Sequence, residues 1–488
     1  MNITARPGQA MAGCVVVLGL VLSPGIAEAA PGSLTFVEQD VNGVDGVTGL
    51  FLANGVTVSP DGHNVYTSAF SGSVAAFSRD PATGRLSFLE AETDGSGGVD
   101  GLGGASSVEV SPDGEHVYAT GFGDSALVTF DRDPATGLLT FVEFDKDGVG
   151  GVDGLAEARQ IAISSDGRHV YTTGAFDDAV AVFSRDPATG ALTFVEVEKD
   201  GIGGVQGLDS AADVSIPPDG SYVYVTGQFD NAIATFTRDP ATGALTFVEF
   251  HQDGVGGVDG LASAFGVSST SDGRHVYVAS QVDSAVASFS RDPSSGSLTF
   301  IDQDRDGVGG VDGLAGATHV AAAPDGANVY VGGTTDQAVA TFSRDGATGV
   351  LGFLEFDQDD VAGVDGLEQT AGLASSPDGR NVYAVGDVDD AVVTFAREGA
   401  DTDPPETTIT KAPKKKTKKR KAKFKFTSDE PGSTFQCKLD KKPFVPCSPP
   451  FKRKVNRKKH KFQVAAVDPA GNVDPTPAQR KWRVRKRR

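Results

Sequence analysis

The chain has 488 residues, among them 62 glycines and 29 phenylalanines but two methionines and one tryptophan. That balance suits many short strands joined by tight turns and argues against a helical bundle. The formal net charge of −22 conceals a division. Residues 401–488 hold 27 Lys and Arg against 8 Asp and Glu, while 1–400 hold 16 against 57, so a domain boundary is expected near 400.

In chain order, Arg6 and an apolar stretch from about Met11 to Leu22 precede Ala27-Glu28-Ala29, a small-x-small cleavage site. Residues 1–29 therefore read as a signal peptide. The stretch is shorter than the ~20 residues a spanning helix needs. A secreted or cell-envelope protein with no membrane span after signal removal is expected.

From residue 31 a repeat dominates. A turn ending in Asp-Gly recurs with its Asp at 61, 113, 166, 219, 272, 325 and 378, and each is followed by Val-Tyr, at Tyr66, Tyr118, Tyr171, Tyr224, Tyr277, Tyr330 and Tyr383. The tyrosines, and His116, His169 and His275 just before three of the pairs, read as structural. In the third unit the pattern resolves into four strands. Ile161-Ala162-Ile163 comes first, then the strand beginning His169-Val170-Tyr171-Thr172, then Ala179 to Phe183. The turn Arg185-Asp186-Pro187-Ala188-Thr189-Gly190 leads to the fourth, Leu192-Thr193-Phe194-Val195-Glu196. Four short antiparallel strands in each of seven units predict the blades of an all-β propeller over 31–400. The seventh unit ends without a fourth strand, while an orphan copy, Leu34-Thr35-Phe36-Val37-Glu38, lies before the first. A ring closed by its N-terminal strand removes both exposed edges.

Because the units are copies, departures from the copy are informative. Around the buried apolar residue of the first strand most positions are small and neutral. Glu109, Arg159, Asp213 and His319 stand out. They are the candidate catalytic set, with a carboxylate or imidazole as base and the guanidinium as oxyanion stabiliser on an ester or lactone. The competing reading is a water-filled channel carrying scattered polar residues. The loop into each next unit repeats Asp at short spacing, as in Asp145, Asp147 and Asp153 or Asp304, Asp306 and Asp312. Oxygen ligands on a tight loop suit calcium, and plain Asp-Gly turns explain the same letters. Either way the loops predict an acidic rim that disfavours anionic ligands and favours cations or basic partners.

After the repeats, 401–423 reads as a basic Pro/Lys-rich linker and 424–488 as a small basic β-sandwich. In an oxidising compartment Cys437 and Cys447 are expected to pair. The lysine load is either a solvated face or an attachment surface for an anionic cell-wall polymer or polysaccharide. A nucleic-acid partner is not expected for an exported chain, and a monomer is.

Two resemblances follow from these residues. Pro218-Asp219-Gly220-Ser221-Tyr222-Val223-Tyr224-Val225-Thr226-Gly227 looks like the Tyr-Val-Thr-Asn propeller repeat, and 31–400 is similar to the seven-bladed lactonase-like family of 6-phosphogluconolactonases and carboxymuconate cyclases. That resemblance implies catalytic His, Arg and Glu in the central channel, types matched here by His319, Arg159 and Glu109. Phe435-Gln436-Cys437, Pro446-Cys447 and Phe462-Gln463-Val464-Ala465-Ala466-Val467-Asp468 resemble the Ig-like modules appended to exported bacterial proteins. No nucleotide loop, nucleophile elbow or zinc constellation is present. The leading expectation is therefore a non-catalytic extracellular or cell-envelope binding platform attached through its basic module. The alternative is a lactonase-type carboxylic ester hydrolase working in the central channel.

Overall fold

The computed structural model describes residues 30–399, 404–430, 433–468 and 473–485; the expected signal peptide, 1–29, lies outside them. Seven four-stranded antiparallel sheets succeed one another from residue 34 to 397. In the third blade the order from the channel outward is Ala158–Ile163, His169–Gly174, Ala179–Arg185 and Leu192–Lys199. The N-terminal strand Leu34–Val41 pairs with Ala391–Arg397, Leu34 opposite Arg397, and so supplies the outer strand of the seventh blade. Inner strands Ala53–Val58 and Thr370–Ser375 meet where the ring closes.

Apolar residues of adjoining blades form the core, and the seven repeat tyrosines are fully buried within it. Their hydroxyls serve a polar clamp between blades. Arg185 of the third blade donates to the Tyr118 hydroxyl at 2.8 Å, to Asp113 at 2.9 Å and to Nδ1 of His116 at 2.6 Å in the second. Tyr118 in turn donates to the carbonyl of Gly190 at 2.7 Å. A Cβ on Gly190, whose φ is +72°, would lie 2.2 Å from the His116 ring, so the turn requires glycine. Arg238 repeats the arrangement with Asp166, His169 and Tyr171. Arg79 closes the ring on Asp378, Asn381 and Tyr383. Burial, then the adjacent Arg185, pushes the His116 imidazole below its ordinary range, so it accepts from the guanidinium as a neutral ring.

The C-terminal module is a three-stranded and a five-stranded sheet over one core that includes Phe424, Phe426, Phe462, Val464 and Trp482. Cys437 and Cys447 are disulfide-bonded. The segment expected as a linker is structured from residue 407: Thr407–Lys411 pairs with Lys421–Ser428, and Lys416–Thr417 pairs with Ala478–Val484. Ile409 packs against the core, which draws this basic stretch into the sheets despite its charge.

Candidate functional site

Each inner strand carries an irregularity in its pairing, for example between Ala105 and Ser107, Ala158 and Ile161, Ala211 and Val214, and Ala317 and His319. A regular strand sends neighbouring side chains to opposite faces, and a bulge breaks that alternation. Consecutive residues can then both face the channel, and they form two tiers. The first of each pair, Asn54, Ser106, Arg159, Phe265, Thr318 and Ala371, lines a pocket of about 290 Å³ at the channel mouth. The second, including Gly55, Ser107, Asp213 and Gly372, lines an inner cavity of about 220 Å³ along with Glu109. Gln160 and His319 border both.

The mouth pocket mixes apolar and amide surface, with Phe70, Phe122 and Phe265 beside Asn54, Gln160, Gln281 and Gln369. Arg159 donates to Gln228 at 2.9 Å and lies 5.5 Å from the centroid of Phe265. The Phe265 ring is in turn 5.9 Å from that of His319, so one aromatic side chain touches both candidate residues. Burial draws the Arg159 guanidinium down from its usual range and the His319 imidazole down to about 4, which leaves His319 neutral at pH 7.

A hydroxyl relay defines the His319 tautomer. Thr334 spends its one proton on the carbonyl of Thr370 at 3.0 Å. It must therefore accept from Thr318, 2.8 Å away, which spends the Thr318 proton. The 3.2 Å contact between Thr318 Oγ1 and His319 Nδ1 then requires Nδ1 to donate. This assignment follows from donor counting and leaves Nε2 with the lone pair.

The other two candidates lie deeper. Glu109 accepts from Thr57 at 3.2 Å, and burial raises its carboxyl to about 7. Asp213 accepts from the amides of Val214 at 2.7 Å and Val267 at 2.8 Å, joining the inner strands of two blades. Burial outweighs those bonds and raises it, too, to about 7. Among the described residues no hydrogen bond joins any two of Glu109, Arg159, Asp213 and His319. They share a channel on two tiers, with Arg159 at the mouth, Glu109 and Asp213 inside, and His319 bordering both.

The aspartate loops surround the same mouth, for Phe122 and Asp387 of the pocket sit two residues from Asp124 and Asp389. Carboxylate oxygens come within 4.8 Å of one another in five triads: Asp94, Asp100 and Asp124; Asp147, Asp153 and Asp177; Asp253, Asp259 and Asp283; Asp306, Asp312 and Asp336; and Asp359, Asp365 and Asp389. Asp147, Asp153, Asp306 and Asp312 are thus brought together as metal-type oxygens, with a third carboxylate that the loop pattern alone does not indicate. Asp145 and Asp304 are not. Both sit on outer strands, opposite Leu127 and Val286, and burial raises each carboxyl to about 6. In three triads the protein supplies its own cation: Lys146 reaches Asp124 at 3.6 Å, Lys199 reaches Asp153 and Asp177, and Arg305 reaches Asp259 and Asp283. The first Asp also closes its turn, as where Asp147 accepts from the amide of Leu155.

Phe265, Gln281 and Gln369 escaped the sequence reading. Phe265 was detectable, since it interrupts a column of small residues. The two glutamines come from connecting segments outside that column.

The family described as lactonase, 7-bladed beta-propeller, matches residues 56–201, 155–312 and 263–364. A probable 6-phosphogluconolactonase of Arthroderma benhamiae is 30% identical over 95 residues, which is 18% of this chain and 23% of that protein. The chain thus spans under a quarter of the length of this curated relative. A periplasmic gluconolactonase of Pseudomonas aeruginosa superposes with a TM-score of 0.51 at 19% identity, over 62% of this chain and 85% of that one. Hydrazine synthase of Kuenenia stuttgartiensis superposes at 0.52 with 18% identity, over 74% of this chain and 100% of that one. These structural likenesses speak to fold alone.

Proposed function

This chain belongs to the lactonase, seven-bladed β-propeller family, and from that premise we propose that it binds and hydrolyses an uncharged sugar lactone at the mouth of its central channel. The observation that carries this reading is the pairing of Arg159 and His319 across Phe265 on one pocket of about 290 Å³, walled otherwise by amides, hydroxyls and aromatic rings, with Ala371 and the carboxylate of Asp387. Amide side chains suit hydroxyls, and the rings suit the apolar face of a sugar. In this scheme water adds to the lactone carbonyl while Nε2 of His319 takes its proton and Arg159 stabilises the oxyanion. The ring C–O bond then breaks, the proton passes to the departing alkoxide, and the product is a hydroxy acid. At neutral pH that acid ionises.

The acidic loops bear on substrate choice. A neutral lactone approaches a negative rim without penalty, whereas a phosphosugar is repelled and the newly formed carboxylate is helped away. Glu109 and Asp213, on the inner tier, do not enter the chemical step in this scheme. We also place the protein outside the cytoplasm. The leader-like N-terminus and the Cys437–Cys447 disulfide support that location.

The test is turnover on a lactone panel, including gluconolactone and its 6-phosphate. Hydrolysis of the neutral lactone should exceed the background rate and fall by about 10²-fold or more in His319→Ala and in Arg159→Gln. Glu109→Gln should stay within a few-fold of wild type. A panel hydrolysed no faster than in buffer overturns the reading. One observation favours a second reading, a binding platform without chemistry: the four candidates share no hydrogen bond. Saturable sugar binding without turnover would support it.

A further inference from the structure

We propose that the C-terminal module is a binding surface for a linear acidic polysaccharide, one carrying a carboxylate on each sugar. Its basis is the β register. Lys421 stands opposite Lys454, and Lys423 opposite Lys452, with all four side chains exposed. Lys411 faces Lys425 on the other flank of the same strand. In the second sheet Lys459 pairs with Arg483 and Lys461 with Lys481, and Lys416 adds a further cation beside Arg483. Like charges directly opposite on a sheet destabilise it. Yet the strands Lys421–Ser428, Phe451–Lys454, Lys459–Val467 and Ala478–Val484 contain no aspartate or glutamate. Alternation with buried Ala422, Phe424 and Phe426 holds Lys421, Lys423 and Lys425 on the outward face. The fold therefore keeps a row of cations that its own strands do not neutralise.

These cations also shape a cleft. Lys415, Lys416, Lys458, Lys459, Lys481 and Arg483 line a groove of about 810 Å³, beside buried Trp482 and His460. Asp440, its acidic member, is engaged by His460 at 2.9 Å and by the amide of Lys461, and lies 3.8 Å from Lys458, so it offsets one of the groove's cations. The volume lies near the upper end of what single small ligands occupy and suits a polymer segment.

Chemistry narrows the class of polymer. Single-strand nucleic-acid binders stack bases on exposed aromatic rings, whereas the exposed large apolar residues of the described module are Val445 and Val473. Those two valines are also too few to enter a membrane surface. The disulfide fits the location outside the cytoplasm proposed above, where nucleic acid is scarce. Lysines outnumber arginines 19 to 8 across residues 401–488. Compact ammonium groups suit single charges regularly spaced better than bidentate phosphate capture. On a strand they recur every ~6.7 Å and across strands every ~4.8 Å, a lattice that a polyuronate can follow. The acidic propeller repels the same polymer, which confines attachment to the module.

The experiment uses the whole chain and polygalacturonate as probe, with duplex DNA of equal total charge as the rival arm. Binding measured by titration at 50 mM salt should weaken at least tenfold at 300 mM. It should weaken at least tenfold again at fixed salt when Lys416, Lys459, Lys481 and Arg483 are changed together to glutamine. A second variant, Lys421→Gln with Lys423→Gln, Lys452→Gln and Lys454→Gln, reads the ladder separately. Melting temperatures no lower than that of wild type establish that both variants fold, and lactone turnover by either should match wild type. Polygalacturonate affinity untouched in both variants overturns the proposal. Tighter binding of duplex DNA than of polygalacturonate overturns it in favour of nucleic acid.

Discussion

At the scale of single residues, the channel separates groups that look equivalent in sequence. Asp213 and Glu109 are both half-buried carboxylates on the inner cavity, raised to about 7, but Asp213 is tied to two backbone amides and Glu109 to one hydroxyl. His319 differs from both because its Nδ1 leads into the Thr318–Thr334 relay. Thr334→Val removes the terminal donor to Thr370, so Thr318 can turn its proton away from Thr334 and compete for Nδ1. We expect kcat for the neutral lactone to fall about tenfold with KM little changed, and the ¹⁵N shifts of His319 to show a mixture of tautomers. Unchanged shifts with unchanged kcat would remove the relay from the positioning role. Arg159 and His319 could be singled out in the sequence because the other units provide an internal background. Their sharing of one pocket could not, because it depends on a bulge that breaks the two-residue alternation.

At the scale of elements, the repeat is held by contacts that run from one blade to the next. Arg238, Asp166, His169 and Tyr171 belong to two blades and come together at the end of the strand Ala232–Arg238. Arg238→Met leaves the buried Tyr171 hydroxyl and His169 Nδ1 without their donor, at a cost on the order of 2–4 kcal/mol. The melting temperature should drop by several degrees, and the same change at Arg185 should do likewise, since the clamp is a copy. A melt unaltered in both would show that the apolar core alone holds neighbouring blades. The linker expectation for 401–423 failed at this scale. Its lysines dominate the composition, while a few inward residues such as Ile409 decide that part of it is strand.

At the scale of the whole molecule, two populations of carboxylates set the response to pH. Burial raises Asp40, Asp145 and Asp304 to about 6, and Glu109, Asp213 and Asp357 to about 7. Between their unfolded values near 4 and these folded values the native state binds more protons, so their contribution to stability falls as pH rises. At Asp113, Asp166 and Asp272 burial opposes ionisation, but hydrogen bonds from a neighbouring hydroxyl and from Arg185, Arg238 and Arg344 outweigh it and hold them low. Their stabilisation is present above about pH 4 and is lost on acidification below it. The melting temperature should therefore peak near pH 5 and decline by pH 8, where self-repulsion from the net charge of −22 adds to the loss. A melt that rises steadily from pH 5 to 8 would contradict this balance.

By itself, the sequence determined the seven blades, their four-strand plan and the closure of the ring by residues 34–41, because period, turn chemistry and a displaced copy are properties of the chain in one dimension. It also determined which few channel positions are not copies, and that charge is divided near residue 400. Only the tertiary structure decided that those positions fall on two tiers, that Phe265 joins Arg159 to His319, and that a third aspartate from another turn completes each triad. These depend on register, on bulges and on which turns meet at one face. Side chains dozens of residues apart meet there, and no local pattern records the meeting.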